Sequence, residues 1–217
     1  DVAPSRGLGD VYKRQLDMIR LKAAINKDTE VSQMLMKLVS FYRLSTKVYD
    51  SMVAVRKEVE MLDAYMSLMC YRYSDIIYRS EIEPGALDIE IPNFILQPLL
   101  ENSLMHGLKD RRYQGTIILK IYRNEQDKNE LNIWLIDDGI GIPDDKMAEL
   151  NAYNAKDSEA LYRVQTRTEG DRTHLGVINV ISRLKLYYQE NAEVIYMRNE
   201  TGGTTVKIKI KTASEET

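Results

Sequence analysis

The sequence predicts an α/β fold, α+β in its layering: a mixed sheet with helices packed on it, preceded by a helical arm. Two observations carry that reading. Apolar residues keep a helical spacing up to about Tyr73, then beyond residue 75 switch to short alternating runs with two helical stretches between them. A third observation is size, since 217 residues that are 44% hydrophobic suffice for one sizeable core with a ligand pocket. Charge is balanced, with 30 Lys and Arg against 33 Asp and Glu, and no block of one sign predicts a nucleic-acid stripe. The lone Cys70 excludes an intrachain disulfide framework and fits a reducing compartment. With only His106 and His174 beside it, clustered zinc ligands are not expected. No apolar run approaches a membrane span and no leader pattern is present, so a soluble, cytoplasmic segment without membrane contact is expected.

Taken in order, residues 1–15 have neither period and read as foreign, like translated adaptor sequence, or as a disordered terminus; the native start is expected to be missing. From Leu16 to about Ser45 the apolar positions Leu16, Ile19, Ala23, Val31, Met34, Leu35, Leu38, Val39 and Tyr42 predict two amphipathic helices, broken near Asn26 to Asp28. A third helix is predicted from about Val55 to Tyr73, with Val59, Leu62, Tyr65, Met66, Met69 and Tyr73 on one side. Residues 16–74 thus read as an arm that packs on itself or on a second subunit. Residues 75–212 read as one domain. Strands are predicted at Ile76–Ile82, Thr116–Tyr122, Leu131–Ile136, Ala192–Met197 and Thr205–Ile210, with helices at Pro92–His106 and Leu175–Gln189. Asp144 to Thr173 is a long polar loop with one short helix near Asp145–Asn151, a length that marks a functional or mobile segment, and 213–217 is a polar tail.

Four segments carry candidate chemistry. Asn102 and His106, four apart, share a helix face, where a carboxamide oxygen suits Mg²⁺ and an imidazole can hydrogen-bond a phosphate or sugar. The plain alternative is a polar helix end with Gly107 as its cap. Asp137-Asp138-Gly139-Ile140-Gly141 follows an apolar strand, and by itself is a turn in which Asp caps the backbone and glycines supply positive φ. Thr173-His174-Leu175-Gly176 opens a helix whose free amides would face a phosphate, or is simply a capped helix. Gly202-Gly203-Thr204-Thr205 leads into the last strand, the usual place for a hairpin turn.

Their order and context say more than any one of them. The series resembles the ATP-binding domain of the GHKL superfamily, with its Bergerat-type sandwich of a mixed sheet and helices, across about residues 75 to 212. Within it, Ile91-Pro92, Leu96-Gln97-Pro98-Leu99-Leu100-Glu101-Asn102-Ser103 and His106-Gly107 look like the N box of the LytS/YesM-type sensor histidine kinases. His174-Leu175-Gly176 to Asn179, with Arg183-Leu184 and Tyr187-Tyr188, looks like their G2 segment, and the helix of Glu58, Glu60, Tyr65 and Arg72-Tyr73 resembles the end of their arm.

The resemblance implies ATP and Mg²⁺ as ligands, with Asp137 accepting a hydrogen bond from the adenine amino group and Thr204 near it through water. Asn102 would hold Mg²⁺, Gly139 and Gly141 would let the backbone close over the base, and His106, His174, Leu175 and Gly176 would complete the nucleotide site. Residues 144–173 would be the ATP lid. It also implies a homodimer through the arm, a response regulator as partner and a membrane-anchored parent. Three positions depart from the pattern: Asp138 for a frequent Asn, His174 for a first glycine, and Met105 for a Lys or Arg that touches phosphate. The phosphoacceptor histidine of the family is absent, its place falling in Tyr12-Lys13-Arg14-Gln15. A GHKL ATPase and a non-catalytic, ATP-responsive dimerisation module are the alternatives. The first is disfavoured because Pro98 stands where those ATPases carry a water-activating Glu.

Overall fold

The computed structural model describes residue 16 and residues 18–45, 51–155 and 175–212, without the side chains of 42–45 and 175. Residues 18–25 form helix α1, and a turn at 26–28 leads into α2, Thr29–Ser45. The break falls where it is expected. Asp28 Oδ1 accepts the Val31 amide at 3.1 Å, so an N-cap restarts the helix.

Helix α3, Val55–Arg72, faces two ways. Towards α2 it presents Tyr65, with its ring 5.4 Å from that of Phe41, and Tyr71, whose hydroxyl donates to the Glu30 carbonyl at 3.1 Å. Its other side buries Val55, Val59, Leu62 and Met66 in the core shared with the sheet. The stripe that the sequence assigns to an arm therefore packs on the following domain as well, a distinction that periodicity alone does not make.

Five strands form that sheet: β2 Ile76–Ile82, β4 Gly115–Arg123, β5 Glu130–Asp137, β6 Ala192–Arg198 and β7 Thr204–Lys211. The order is β2-β4-β5-β7-β6, with β2 parallel to β4 and every other pair antiparallel, so the expected mixed sheet is the observed one. Alternation decides its faces. Ile117, Leu119 and Ile121, Leu131, Ile133 and Leu135, and Val206, Ile208 and Ile210 point into the core under the helices. The opposite face carries Tyr122 and Trp134 edge to face, with Lys207 Nζ 4.1 Å over the indole.

A second, two-stranded sheet was not foreseen. β1, Met52–Ala54, pairs antiparallel with β3, Glu90–Pro92, in runs too short to show a period. It consumes Pro92, and so corrects the helix expected from Pro92 to His106. That segment is α4, Leu96–Asn102, followed by a π turn at Ser103–Leu108. Ile95 at the N-cap offers no side-chain cap, and the Glu58 carboxylate from α3 replaces it. Glu58 takes the amides of Phe94 at 2.9 Å, Ile95 at 3.2 Å and Leu96 at 3.1 Å. Helix α5, Asp144–Ala152, and helix α6, Leu175–Tyr188, complete the fold.

Candidate functional site

Between α4, the β5 turn, α5, α6 and the last two strands lies a cavity of about 590 Å³. Apolar Leu99, Ile142, Leu150, Val177 and Val206 form much of its wall, and Asp137 is the buried carboxylate on it, 3% exposed. Such a pocket, with an apolar wall and a buried acceptor on it, suits a flat heterocycle that offers a donor. Asp137 ends β5, where the strand pleat turns it inward opposite Ile117. Its Oδ1 accepts the Gly139 amide at 3.0 Å and the Thr204 amide at 3.2 Å, and its Oδ2 accepts the Ser103 hydroxyl at 2.8 Å. Burial pushes its carboxyl above the usual carboxylate range, while Ser103 and the two amides act in the opposite direction.

The turn behind Asp137 is held by close backbone packing. A Cβ on Gly139 would come within 2.6 Å of the Gly107 backbone, so only glycine lets the β5 turn and the π turn touch. Gly141 adopts φ +76°, and a side chain there would strike the Gly202 carbonyl. Asn199 ties the turn to β7, since its Nδ2 donates to the Asp137 carbonyl at 2.8 Å and to the Thr204 carbonyl at 3.2 Å.

Of the residues named from sequence, Asn102, His106, Asp137, Gly141 and Thr204 line this one cavity. The wider π turn starts just after Asn102 and still brings His106 to the wall, and π turns recur at functional sites. Gly139 and Gly176 are not among the described residues that line it: Gly139 presses on Gly107, and a Cβ on Gly176 would meet Pro98 Cβ at 3.6 Å. His174 and the side chain of Leu175 lie outside the described residues. So does 156–173 of the expected lid, whose first part is α5 and a 3-10 turn at Tyr153–Ala155. That part is anchored on edge strand β6: Asn151 exchanges two hydrogen bonds with the Tyr196 backbone at 2.9 and 2.8 Å, and Asn154 Oδ1 takes the Val194 amide at 3.0 Å.

Asp138 faces away from the cavity side of the turn, with its Oδ1 taking the Thr116 amide at 2.8 Å and lying 3.7 Å from Arg111. Sequence reading missed Ser103, Asn199, Lys109 and Lys146. Ser103 stood beside Asn102 as a hint, and its bond to Asp137 spans 34 residues, so no local pattern shows it. Lys109 and Lys146 line the cavity along with Met105. Among the described residues no group of three or more His, Cys, Asp and Glu converges, so a cation here would depend on oxygens brought by its ligand.

Known proteins resemble this chain in sequence and in fold. The family model described as histidine kinase-, DNA gyrase B- and HSP90-like ATPase matches residues 88–214, and one described as histidine kinase matches residues 14–77. Sensor protein LytS of Oceanobacillus iheyensis is 33% identical over 175 residues, 80% of this chain and 28% of LytS. Sensor histidine kinase YpdA of Escherichia coli is 25% identical over 199 residues, 90% of this chain and 31% of YpdA. The chain therefore spans under a third of the length of these curated relatives. The histidine kinase domain of the Erythrobacter litoralis EL346 blue-light activated histidine kinase has the same fold, with TM-score 0.51 at 18% identity over 94% of both chains. The catalytic domain of histidine kinase ThkA gives 0.52 at 12% identity, over 75% of this chain and 97% of that one.

The chain belongs to the histidine kinase-, DNA gyrase B- and HSP90-like ATPase family, and the fold class foreseen from sequence is its fold. Within that family its likeness is to the LytS-type sensor histidine kinases, as the motifs imply.

Proposed function

We propose that this chain binds ATP as the catalytic portion of a sensor histidine kinase, and directs the γ-phosphoryl to a histidine outside this chain and thence to the receiver aspartate of a response regulator. The observation that carries the reading is a buried Asp137 carboxylate on the wall of an apolar cavity. An acceptor there favours the amino group of adenine over the carbonyl of guanine. Thr204 stands beside it, its backbone amide donating a hydrogen bond to the same carboxylate, and Gly141 keeps the turn open towards the base. Asn102 would give one oxygen to Mg²⁺, His106 a hydrogen bond to phosphate or sugar, and the segment His174-Leu175-Gly176 its amides to phosphate. Lys109 and Lys146 supply positive charge on the same wall, which Met105 does not.

Phosphoryl transfer asks the protein for position and charge neutralisation more than for covalent work. Hydrolysis asks for a base on water. Pro98 offers none, and Glu101 accepts from Gln97 at 2.8 Å without lining the cavity. The arm supports a second copy of the chain as partner, because Ile19, Leu21 and Ile25 of α1 and Val31, Met34 and Met36 of α2 are exposed. Among the described residues no helix is long and apolar enough to cross a membrane, in keeping with a cytoplasmic portion of an anchored parent.

Calorimetric titration with ATP, with and without Mg²⁺, should show saturable binding that Asp137→Ala abolishes. Supplying an arm that carries the acceptor histidine should then yield an acid-labile, base-stable phosphoryl adduct that Asn102→Ala prevents. Release of free phosphate alone would replace the kinase reading with the ATPase one.

A further inference from the structure

The turn at residues 93–95 joins β3 to α4 and is held from two sides. Glu58 of α3, 1% exposed, gathers the amides of Phe94, Ile95 and Leu96, and Arg183 of α6 donates through Nη1 to the Asn93 carbonyl. Phe94 itself sits at φ +59°, a left-handed conformation that a bulky residue keeps only when its surroundings impose it. A Ser or Asp at the N-cap would reach only an amide one or two residues further into α4, not those of Phe94, Ile95 and Leu96. Here the cap comes from another helix, so the placement of α4 depends on α3.

The clamped helix α4 and the clamping helix α6 both reach the cavity. α4 carries Asn102 to its wall, two turns beyond Leu96, and α6 carries Val177 there from the end opposite Arg183. α3 in turn packs on α2 of the arm through Phe41–Tyr65 and Tyr71–Glu30. Asp137 is tied to α4 only through Ser103, the residue that follows Asn102. Its partners are Ser103, Gly139 and Thr204, and its strand is fixed by the sheet.

We propose that Glu58 and Arg183 are positioning residues of the ATP site, clamping residues 93–96 so that α4 presents Asn102 to the phosphate-bound metal. This rests on the ATP reading above and extends it: the adenine end is held chiefly by the sheet, and the metal end by a junction built on the helix against which the arm packs. Neither residue lines the cavity, so neither touches the nucleotide.

The test uses the 217-residue chain and its Glu58→Gln and Arg183→Lys variants, titrated with ATP in Mg²⁺ and in EDTA, alongside thermal melts. The expected result is that each variant loses about ten-fold of the gain in affinity that Mg²⁺ confers, the order of effect when a buried hydrogen-bond set is weakened. Binding in EDTA should stay within about two-fold, because the Gly139 and Thr204 amides and the sheet still hold Asp137. An unchanged Mg²⁺ gain in folded variants overturns the proposal, and so does an equal loss with and without Mg²⁺, which marks a merely structural junction. If Glu58→Gln does not fold, Arg183→Lys, which keeps the charge, decides by the same ratio. Absence of ATP binding by the unmutated chain overturns the ATP reading itself, and this inference with it.

Discussion

Asp137 and Glu58 are the same chemical device placed in two settings. Each is a nearly wholly buried carboxylate, each accepts backbone amides from a turn, and each has its carboxyl pushed above the usual range by burial. The difference lies in what remains. Glu58 spends both oxygens on three amides and does not line the cavity, so it is complete without a ligand. Asp137 accepts three bonds and still borders a cavity of about 590 Å³, so one carboxylate oxygen can take a further donor. Burial and a raised pKa therefore do not distinguish a reader of ligand from a cap of a helix. Spare acceptor capacity towards a cavity does.

Asp137→Asn breaks that distinction most strongly. The Asn oxygen can keep the amides of Gly139 and Thr204, while its NH₂ donates to Ser103 Oγ, so the fold survives. The same NH₂ then faces the donor edge of adenine, and ATP affinity should fall at least about 100-fold in titration, as when a polar site is left mismatched. Stability moves the other way. Because the folded carboxyl is raised above its unfolded value of 3.8, its contribution is fully present below that pH and is lost as pH rises through the folded value. Asp137→Asn removes that loss, so melts compared between about pH 4 and pH 8 should show the variant gaining on the unmutated chain as pH rises.

Much of this was legible in advance. The five sheet strands, the break at Asn26 to Asp28 and the α5 and α6 helices follow from period and from turn chemistry, which are local. Asp137, Asn102, His106, Gly141 and Thr204 come together because motif order reports the folding of distant segments onto one wall. What stayed hidden is contact across the chain: Glu58 capping α4 from 36 to 38 residues away, Ser103 on Asp137, and a β1–β3 ribbon of three residues a side. A carboxylate on an amphipathic helix reads as a solvated face, and only the fold shows that three amides converge on it.

Ser103→Ala probes the shared device more gently. Asp137 Oδ2 loses a hydroxyl donor while Oδ1 keeps both amides, so the carboxylate stays buried but less well fixed. A hydroxyl bond to a carboxylate is worth about 1.5–3 kcal/mol, only part of which acts on the ligand, so ATP affinity should drop roughly three- to ten-fold in titration, well short of Asp137→Asn. Loss of this donor also raises the Asp137 carboxyl further, which should move the decline in affinity on acidification to higher pH. An effect as large as that of Asp137→Asn would mean that Ser103, not the carboxylate, reads the base.

Glu130 supplies the smallest effect and a control on the pH argument. It is also covered, at 4% exposure, but by side-chain donors at the start of the central strand β5: Asn124 at 2.6 Å, Asn132 at 3.2 Å and Lys209 at 3.2 Å. Led by Asn124, these donors outweigh desolvation, and its carboxyl falls below the usual range, opposite to Asp137 and Glu58. Its stabilisation is thus present above the unfolded value of 4.5 and is lost as pH falls through the lower folded value. Lys209 is half exposed, so Lys209→Ala should cost no more than about 0.5–1 kcal/mol in melts at neutral pH and less in high salt. It should leave ATP binding unchanged, since Glu130 and Lys209 lie off the cavity wall. A large loss of ATP affinity would show that the open face of the sheet, and not only its helix-covered face, sets the position of Asp137.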